Sequence, residues 1–187
     1  MNILASGTRS LALAAAFATG VASVALAADP MVGGAAMMAS KNIVENASQA
    51  KNLTTLVSAV KEGGLVQTLE GAGPFTVFAP TNEAFDKVPK ATLSKLMEPQ
   101  DKEALKKILT YHVVAGKIDS AELAKDIKDN GGSYTMKTVE GEPLTARMEN
   151  GKIELIDAAG GGAIIETPDV YQSNGVVHVI GSVLMPK

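Results

Sequence analysis

His112 and His178 are the only imidazoles in this 187-residue chain, which has no cysteine. As a pair they could ligate a metal, or one could serve as a general base, with neighbouring carboxylates or hydroxyls completing the set. A two-histidine centre needs carboxylates at a defined spacing, and none is legible here. Each histidine stands instead in an apolar stripe. Leu105, Ile108, Leu109 and His112 fall at helical spacing, and His178 lies inside the run Val176-Val177-His178-Val179-Ile180. In such surroundings a neutral ring hydrogen-bonded to backbone is the ordinary outcome, so both are expected to be structural. Ser58, Ser94, Ser120, Ser133, Ser173 and Ser182 offer hydroxyls, but none is expected to stand in a G-x-S-x-G elbow or an S-x-x-K motif. Gly160-Gly161-Gly162 lacks the lysine or following helix that a phosphate site requires and reads as a flexible loop. Met31, Met37 and Met38 are soft enough to hold Cu(I), yet no His or Cys stands near them. The expectation is therefore no catalytic residue, no metal and no cofactor.

The beginning of the chain has the order of an export signal. Arg9 precedes an uncharged Ala/Leu-rich run that ends in Ala25-Leu26-Ala27, small residues at the positions a signal peptidase reads. A membrane anchor is the rival reading, but Thr19, Gly20 and Ser23 interrupt a stretch already weakened by alanine. Residues 1–27 are thus expected to be a signal peptide, residues 28–39 a flexible linker, and residues 40–187 one domain. Losing Arg9 makes the mature part slightly more acidic than the formal net charge of −3. Lysines and arginines are scattered, which argues against a nucleic-acid surface. Tryptophan is absent, which makes a sugar-stacking platform unattractive.

The elements that must position these side chains fall into two blocks. Residues 40–49 and 52–62 have helical period, the first with Asn42 and Glu45 in capping-box spacing. Leu65, Val66 and Leu69 suggest a third short helix. Phe75-Thr76-Val77-Phe78 has the composition of a buried strand, which Pro80 stops; Thr81 or Asn82 then caps a helix. Residues 91–98 form a short helix burying Leu93, Leu96 and Met97, and a longer one starts near Asp101. Asp119 or Ser120 caps a further helix through Ile127. From Asn130 onward the period becomes two. Asn150-Gly151 suits a type I′ hairpin turn, placing Met148 opposite Ile153, Arg147 opposite Glu154 and Ala146 opposite Leu155. Residues 163–167 are a short strand, Pro168-Asp169 a turn, and residues 176–185 a strand apolar on both faces, as in the middle of a sheet. Helices first and sheet second give an α+β arrangement.

Three segments, TVFAPTNEAF (residues 76–85), YHVV (residues 111–114) and NGVVHVIGSVLMP (residues 174–186), resemble in order and spacing the motifs of the fasciclin domain family. The resemblance spans about residues 40–186. Its motif positions here are Thr76, Phe78, Pro80, Thr81, Asn82, Phe85, Asn174, Gly175 and His178. It implies a compact fold with a helical layer beside a wedge-like pair of β-sheets. It also implies a module for adhesion or interaction with no shared catalytic centre. In animal members the Tyr-His pair is linked to receptor contact, and Tyr111 and His112 match it. The function expected is a secreted or periplasmic, non-catalytic module of a bacterial kind, binding a protein or a cell-envelope or matrix component. The alternative is a carrier for an apolar ligand such as a carotenoid or lipid, after an algal branch of the family. For the leader, N-terminal sequencing of exported protein should return Ala28; a chain starting at Met1 and lodged in membrane would contradict it.

Overall fold

The computed structural model describes residues 29–96 and 98–187. The expected signal peptide and the expected burial of Met97 fall on residues outside those described, and the expected burial of Leu96 concerns a side chain outside those described. Strands β1 (Met31–Val32) and β2 (Ala35–Ala36) form a small antiparallel hairpin where a linker without structure was expected. Gly33 and Gly34 turn it with positive φ, and the side chains of Val32 and Met37 enter the core. Two residues per strand are too few to show a period, so nothing in the sequence announced it.

Helix α1 (Ile43–Ala47) carries the expected capping box: the Glu45 amide donates to the Asn42 side chain at 2.9 Å, and the Glu45 carboxylate receives the Asn42 amide at 2.8 Å. Helices α2 (Thr54–Glu62) and α3 (Val66–Leu69) follow, separated by Gly64 at φ 67°. Strand β3 (Phe75–Pro80) leads into α4 (Asn82–Asp86), whose cap is Thr81, accepting from the Ala84 amide at 3.2 Å. Helix α5 (Lys90–Leu96) leaves Leu93 half-buried. Helix α6 (Lys102–Tyr111) buries Leu105 and Leu109, and β4 (Val113–Ala115) follows it directly. Helix α7 (Ser120–Asp129) is capped by Asp119, which accepts from the Glu122 amide at 2.9 Å.

The remaining strands are β5 (Ser133–Lys137), β6 (Pro143–Glu149), β7 (Lys152–Ile156), β8 (Gly162–Gln172) and β9 (Gly175–Ile180). Their order across the sheet is β4-β3-β9-β8-β7-β6-β5, with β3 and β9 parallel and the other neighbours antiparallel. Pro168-Asp169 does not turn the chain. β8 runs through it, pairing with β7 near Ile164 and with β9 from Ile165 onward, and the register slips between Ile165 and Val170. A bulge tolerates a residue without an amide hydrogen, and Asp169 takes up φ 58° there. The expected pair of sheets thus shares one long strand. At the far ends a bridge between Val114 and Thr138, with the Val139 amide donating to the Val113 carbonyl at 2.7 Å, brings the outer strands together. Such contact covers edges that would otherwise invite pairing with another chain.

Two apolar cores result. One lies between β3/β9 and the first helices, with Leu56, Val60, Leu109, Val77 and Val179. The other lies between the sheets and α7, with Phe78, Tyr111, Leu123, Leu155 and Ile180. The β6–β7 register is the expected one, including Met148 opposite Ile153 and Arg147 opposite Glu154. Arg147 and Glu154 make an ion pair at 2.7 Å. Met148 nevertheless stays exposed, because the hairpin tip runs past the core. Asn150 at φ 50° and Gly151 at φ 80° form the turn. Gly151→Val should destabilise the domain by about 1 kcal/mol or more in urea melts. Exchanging the charges of Arg147 and Glu154 should cost less than about 1 kcal/mol.

Candidate functional site

The residues singled out above converge on the β3/β9 pair, and most of them are joints. Asn174 is buried at the turn into β9. Its Oδ1 accepts from the Ile43 amide at 3.1 Å, and its Nδ2 donates to the carbonyls of Leu69 at 2.7 Å and Gly71 at 2.9 Å. One side chain thereby fastens α1 and the end of α3 to the sheet. Gly175 has no room for a side chain: a Cβ there would overlap the Phe75 carbonyl of the parallel neighbour. Thr76 donates from Oγ1 to the Gly116 carbonyl at 2.7 Å and accepts from the Ile118 amide at 2.9 Å, tying β3 to the loop before α7. Pro80 ends β3 opposite Ile180, and Phe85 is buried in the first core. Asn82 does not cap its own helix, which Thr81 does. Its Oδ1 receives the Thr55 amide at 3.0 Å and its Nδ2 donates to the Lys51 carbonyl at 3.0 Å. Leu53, the N-cap residue of α2, has no side-chain oxygen, so Asn82 supplies a cap from across the fold.

His178 is fully buried, on the same face of β9 as Ile180, and stacks on Phe78 with centroids 5.6 Å apart. Its Nε2 lies 2.9 Å from the Ile118 carbonyl, and its Nδ1 accepts from the Asp169 amide at 3.3 Å. Those partners define a neutral ring protonated on Nε2. Burial lowers its pKa, against the opposing pull of Asp169 and Asp119. His112 is buried at the end of α6, facing the helix-side core. Its Nδ1 lies 2.8 Å from the Ile108 carbonyl and its Nε2 accepts from the Leu184 amide at 3.0 Å, so this ring carries its proton on Nδ1. Burial pushes its pKa down from 6.5 to about 4, and the facing Asp157 carboxylate only partly offsets that. The structure does not bring the two histidines together. Both nitrogens of each ring are engaged by backbone, leaving no lone pair for a metal or a substrate proton.

Tyr111 is equally buried. Its hydroxyl donates to the Pro143 carbonyl at 2.7 Å and accepts from the Ala158 amide at 2.9 Å, and burial raises its pKa above 10.0. With Tyr111 at 0% and His112 at 2% exposure, a partner cannot touch these two side chains in this fold. The expectation of direct contact through the pair is corrected accordingly: an amphipathic ring with two backbone partners is more stable inside. The Gly160–Gly162 segment is likewise not slack. Asp157 Oδ1 accepts from the Gly161 amide at 2.6 Å, and the backbones of these residues are bonded in both directions. Against the expectation that none of the candidate serines stands in S-x-x-K, Ser58 and Lys61 do have that spacing. Ser58 is exposed in mid-helix and its hydroxyl donates to the Thr54 carbonyl at 3.0 Å, so no base activates it. Asn46, the acceptor of a glycosylation sequon by pattern, is buried and donates to the Met38 carbonyl at 2.8 Å.

An apolar cavity of about 40 Å³ lies under α1 and α2, walled by Val32, Leu56, Val60, Val113 and Val177. Sites for drug-sized ligands measure roughly 300–1,000 Å³. A carotenoid does not fit this space, and the carrier alternative gains no support.

The fasciclin domain family model matches residues 51–186. The chain belongs to that family. This fasciclin protein is 40% identical over 176 residues to protein sll1483 of Synechocystis sp., covering 91% of each chain. It is 36% identical over 159 residues to the cell surface glycolipoprotein MPB83 of Mycobacterium bovis, covering 82% of this chain and 64% of that one. Against the pig transforming growth factor-beta-induced protein ig-h3 it is 36% identical over 132 residues, 71% of this chain but 17% of the relative. Among solved structures, the FAS1 domain pair of the insect cell adhesion molecule fasciclin I superposes with a TM-score of 0.69 at 20% identity, over 78% of this chain and 51% of the other. The α+β fold is therefore that of a FAS1 domain.

The histidines make stability depend on pH with a definite sign. An unfolded His112 takes up a proton below 6.5, while the folded ring resists until about 4. The stability it contributes is present above that unfolded value and is lost as pH falls toward 4, on the order of 3 kcal/mol. His178 adds in the same direction. At neutral pH, His178→Ala should cost about 2–4 kcal/mol in urea melts, and His178→Gln should recover part of that. Stability that rises on acidification, or a His178→Ala protein as stable as the wild type, would contradict the assignment.

Proposed function

We propose that this fasciclin protein works outside the cytoplasm, secreted or periplasmic, by binding a protein or a cell-envelope or matrix component, and not by catalysis. The observation that carries this reading is the state of its reactive side chains. Both imidazoles and the Tyr111 phenol are held by two backbone partners each, inside the core. A general base or nucleophile must reach a substrate, and these cannot. Among the described residues no group of three or more His, Cys, Asp or Glu is placed to hold a metal ion. The relatives lend the setting: one is a cell surface glycolipoprotein, and the fold is shared with a cell adhesion molecule. Among the described residues no helix is long and apolar enough to cross a membrane. With Tyr111 and His112 inside, the contact surface is built by other residues.

Fluorescently labelled mature protein, residues 28–187, should bind envelope fragments of the producing cell saturably and be displaced by unlabelled protein. His178→Gln, folded, should bind as well as the wild type. Retention that never saturates, or binding abolished in a folded His178→Gln variant, would count against the reading.

A further inference from the structure

After β9 the chain turns back as a strap, residues 181–187, laid over the end of α6 and the loop between β7 and β8. Leu184 within it is fully buried. Three of its amides are fastened in an unusual way. The Leu184 amide donates to His112 Nε2 at 3.0 Å, the Met185 amide to Asp157 Oδ2 at 2.9 Å, and the Lys187 amide to Glu142 Oε2 at 2.8 Å. Each receiver is an ionisable side chain, where most buried amides of a fold go to backbone carbonyls. The Lys107 ammonium completes the arrangement, bonded to both Glu142 and the Lys187 carbonyl.

We infer that the 181–187 strap is an acid-released latch with His112 as its catch. A neutral His112, protonated on Nδ1 toward the Ile108 carbonyl, offers Nε2 as an acceptor. Protonation makes Nε2 a donor, so that N–H meets N–H at Leu184, and a buried donor without an acceptor is costly. The Ile108 bond survives protonation, so the ring stays in place and the strap is what yields. Among charged groups, Asp157 faces the ring. It favours the protonated form and accepts from the strap itself, so the same carboxylate helps load and hold the catch. Burial keeps the ring neutral at ordinary pH, with its pKa near 4. Glu142, between β5 and β6, and Lys107, on α6, fix the far end of the strap. Val183 and Met185 roof a small apolar space walled by Phe85, Leu93, Leu105 and Leu109. Lifting the strap bares that wall, giving the module an apolar surface only in acid.

Amide hydrogen exchange, read by NMR as protection factors corrected for intrinsic rate, tests this on the whole mature protein. The probe is the Leu184 amide; the reference is the Leu123 amide, bonded to the Asp119 carbonyl in α7. Between about pH 6.5 and about pH 4 the Leu184 protection should fall at least about tenfold more than that of Leu123. Parallel loss at both amides would mean general unfolding and would overturn the latch, as would unchanged protection at Leu184. His112→Gln supplies an acceptor that does not titrate in this range. Folded, it should flatten the Leu184 response, and a response equal to the wild type would remove His112 as the catch. If that variant fails to fold, the wild-type comparison still decides between local release and none.

Discussion

Strand β9 is paired on both edges, parallel to β3 and antiparallel to β8, and every residue from Gly175 to Ile180 is buried. A strand in that position has no solvent on which to discharge a polar side chain, yet it contains His178. The ring must therefore find a donor and an acceptor inside. The acceptor is the Ile118 carbonyl on the approach to α7. The donor is the Asp169 amide, which reaches it through the bulge in β8. That bulge also carries the Asp169 carboxylate to the start of α7, where it accepts from the Ser120 amide at 2.7 Å and from the Ser120 hydroxyl. A single buried imidazole thus ties together β8, β9 and the approach to α7, and the bulge in β8 is what brings the Asp169 amide to it.

The same constraint runs through the other half of the molecule. Gly175 lets β9 approach Phe75, Asn174 satisfies three backbone groups from two helices and a turn, and Asn82 caps a helix it does not belong to. Tyr111 and His112 each bridge a pair of backbone groups at the seam between the two cores. Polar side chains in this chain serve as joints between elements, so the recognition proposed for it falls to the surface. That is a physical basis for a family whose motif residues look chemical and yet serve a binding module.

Features encoded within a few residues were legible in the sequence. The capping box at Asn42 and Glu45, the Asp119 cap, the Asn150-Gly151 turn with its register, and the double burial of β9 all depend on near neighbours or on strict period. Features that depend on distant partners were not. The β1–β2 hairpin is too short for a pattern, and only the core it covers explains Val32 and Met37. Pro168-Asp169 has the composition of a turn, and only the ladder between β8 and β9 shows it to be a bulge. Asn82 beside Thr81 looked like an alternative cap for α4, while its partners lie some thirty residues earlier, at Lys51 and Thr55. Asp157 showed no signal at all, since the Gly161 and Met185 amides meet it only in the folded chain. The Tyr111-His112 pair was recognisable as a motif, but its burial was not.

The central claim is that both histidines are neutral scaffolding rings in opposite tautomers. Long-range ¹H–¹⁵N NMR of imidazole-labelled protein near neutral pH reads this directly. The account predicts His112 protonated on Nδ1 and His178 on Nε2, each in slow exchange with water and neither titrating near the ordinary histidine value. Rings that exchange quickly, share one tautomer, or titrate at about 6.5 would contradict it.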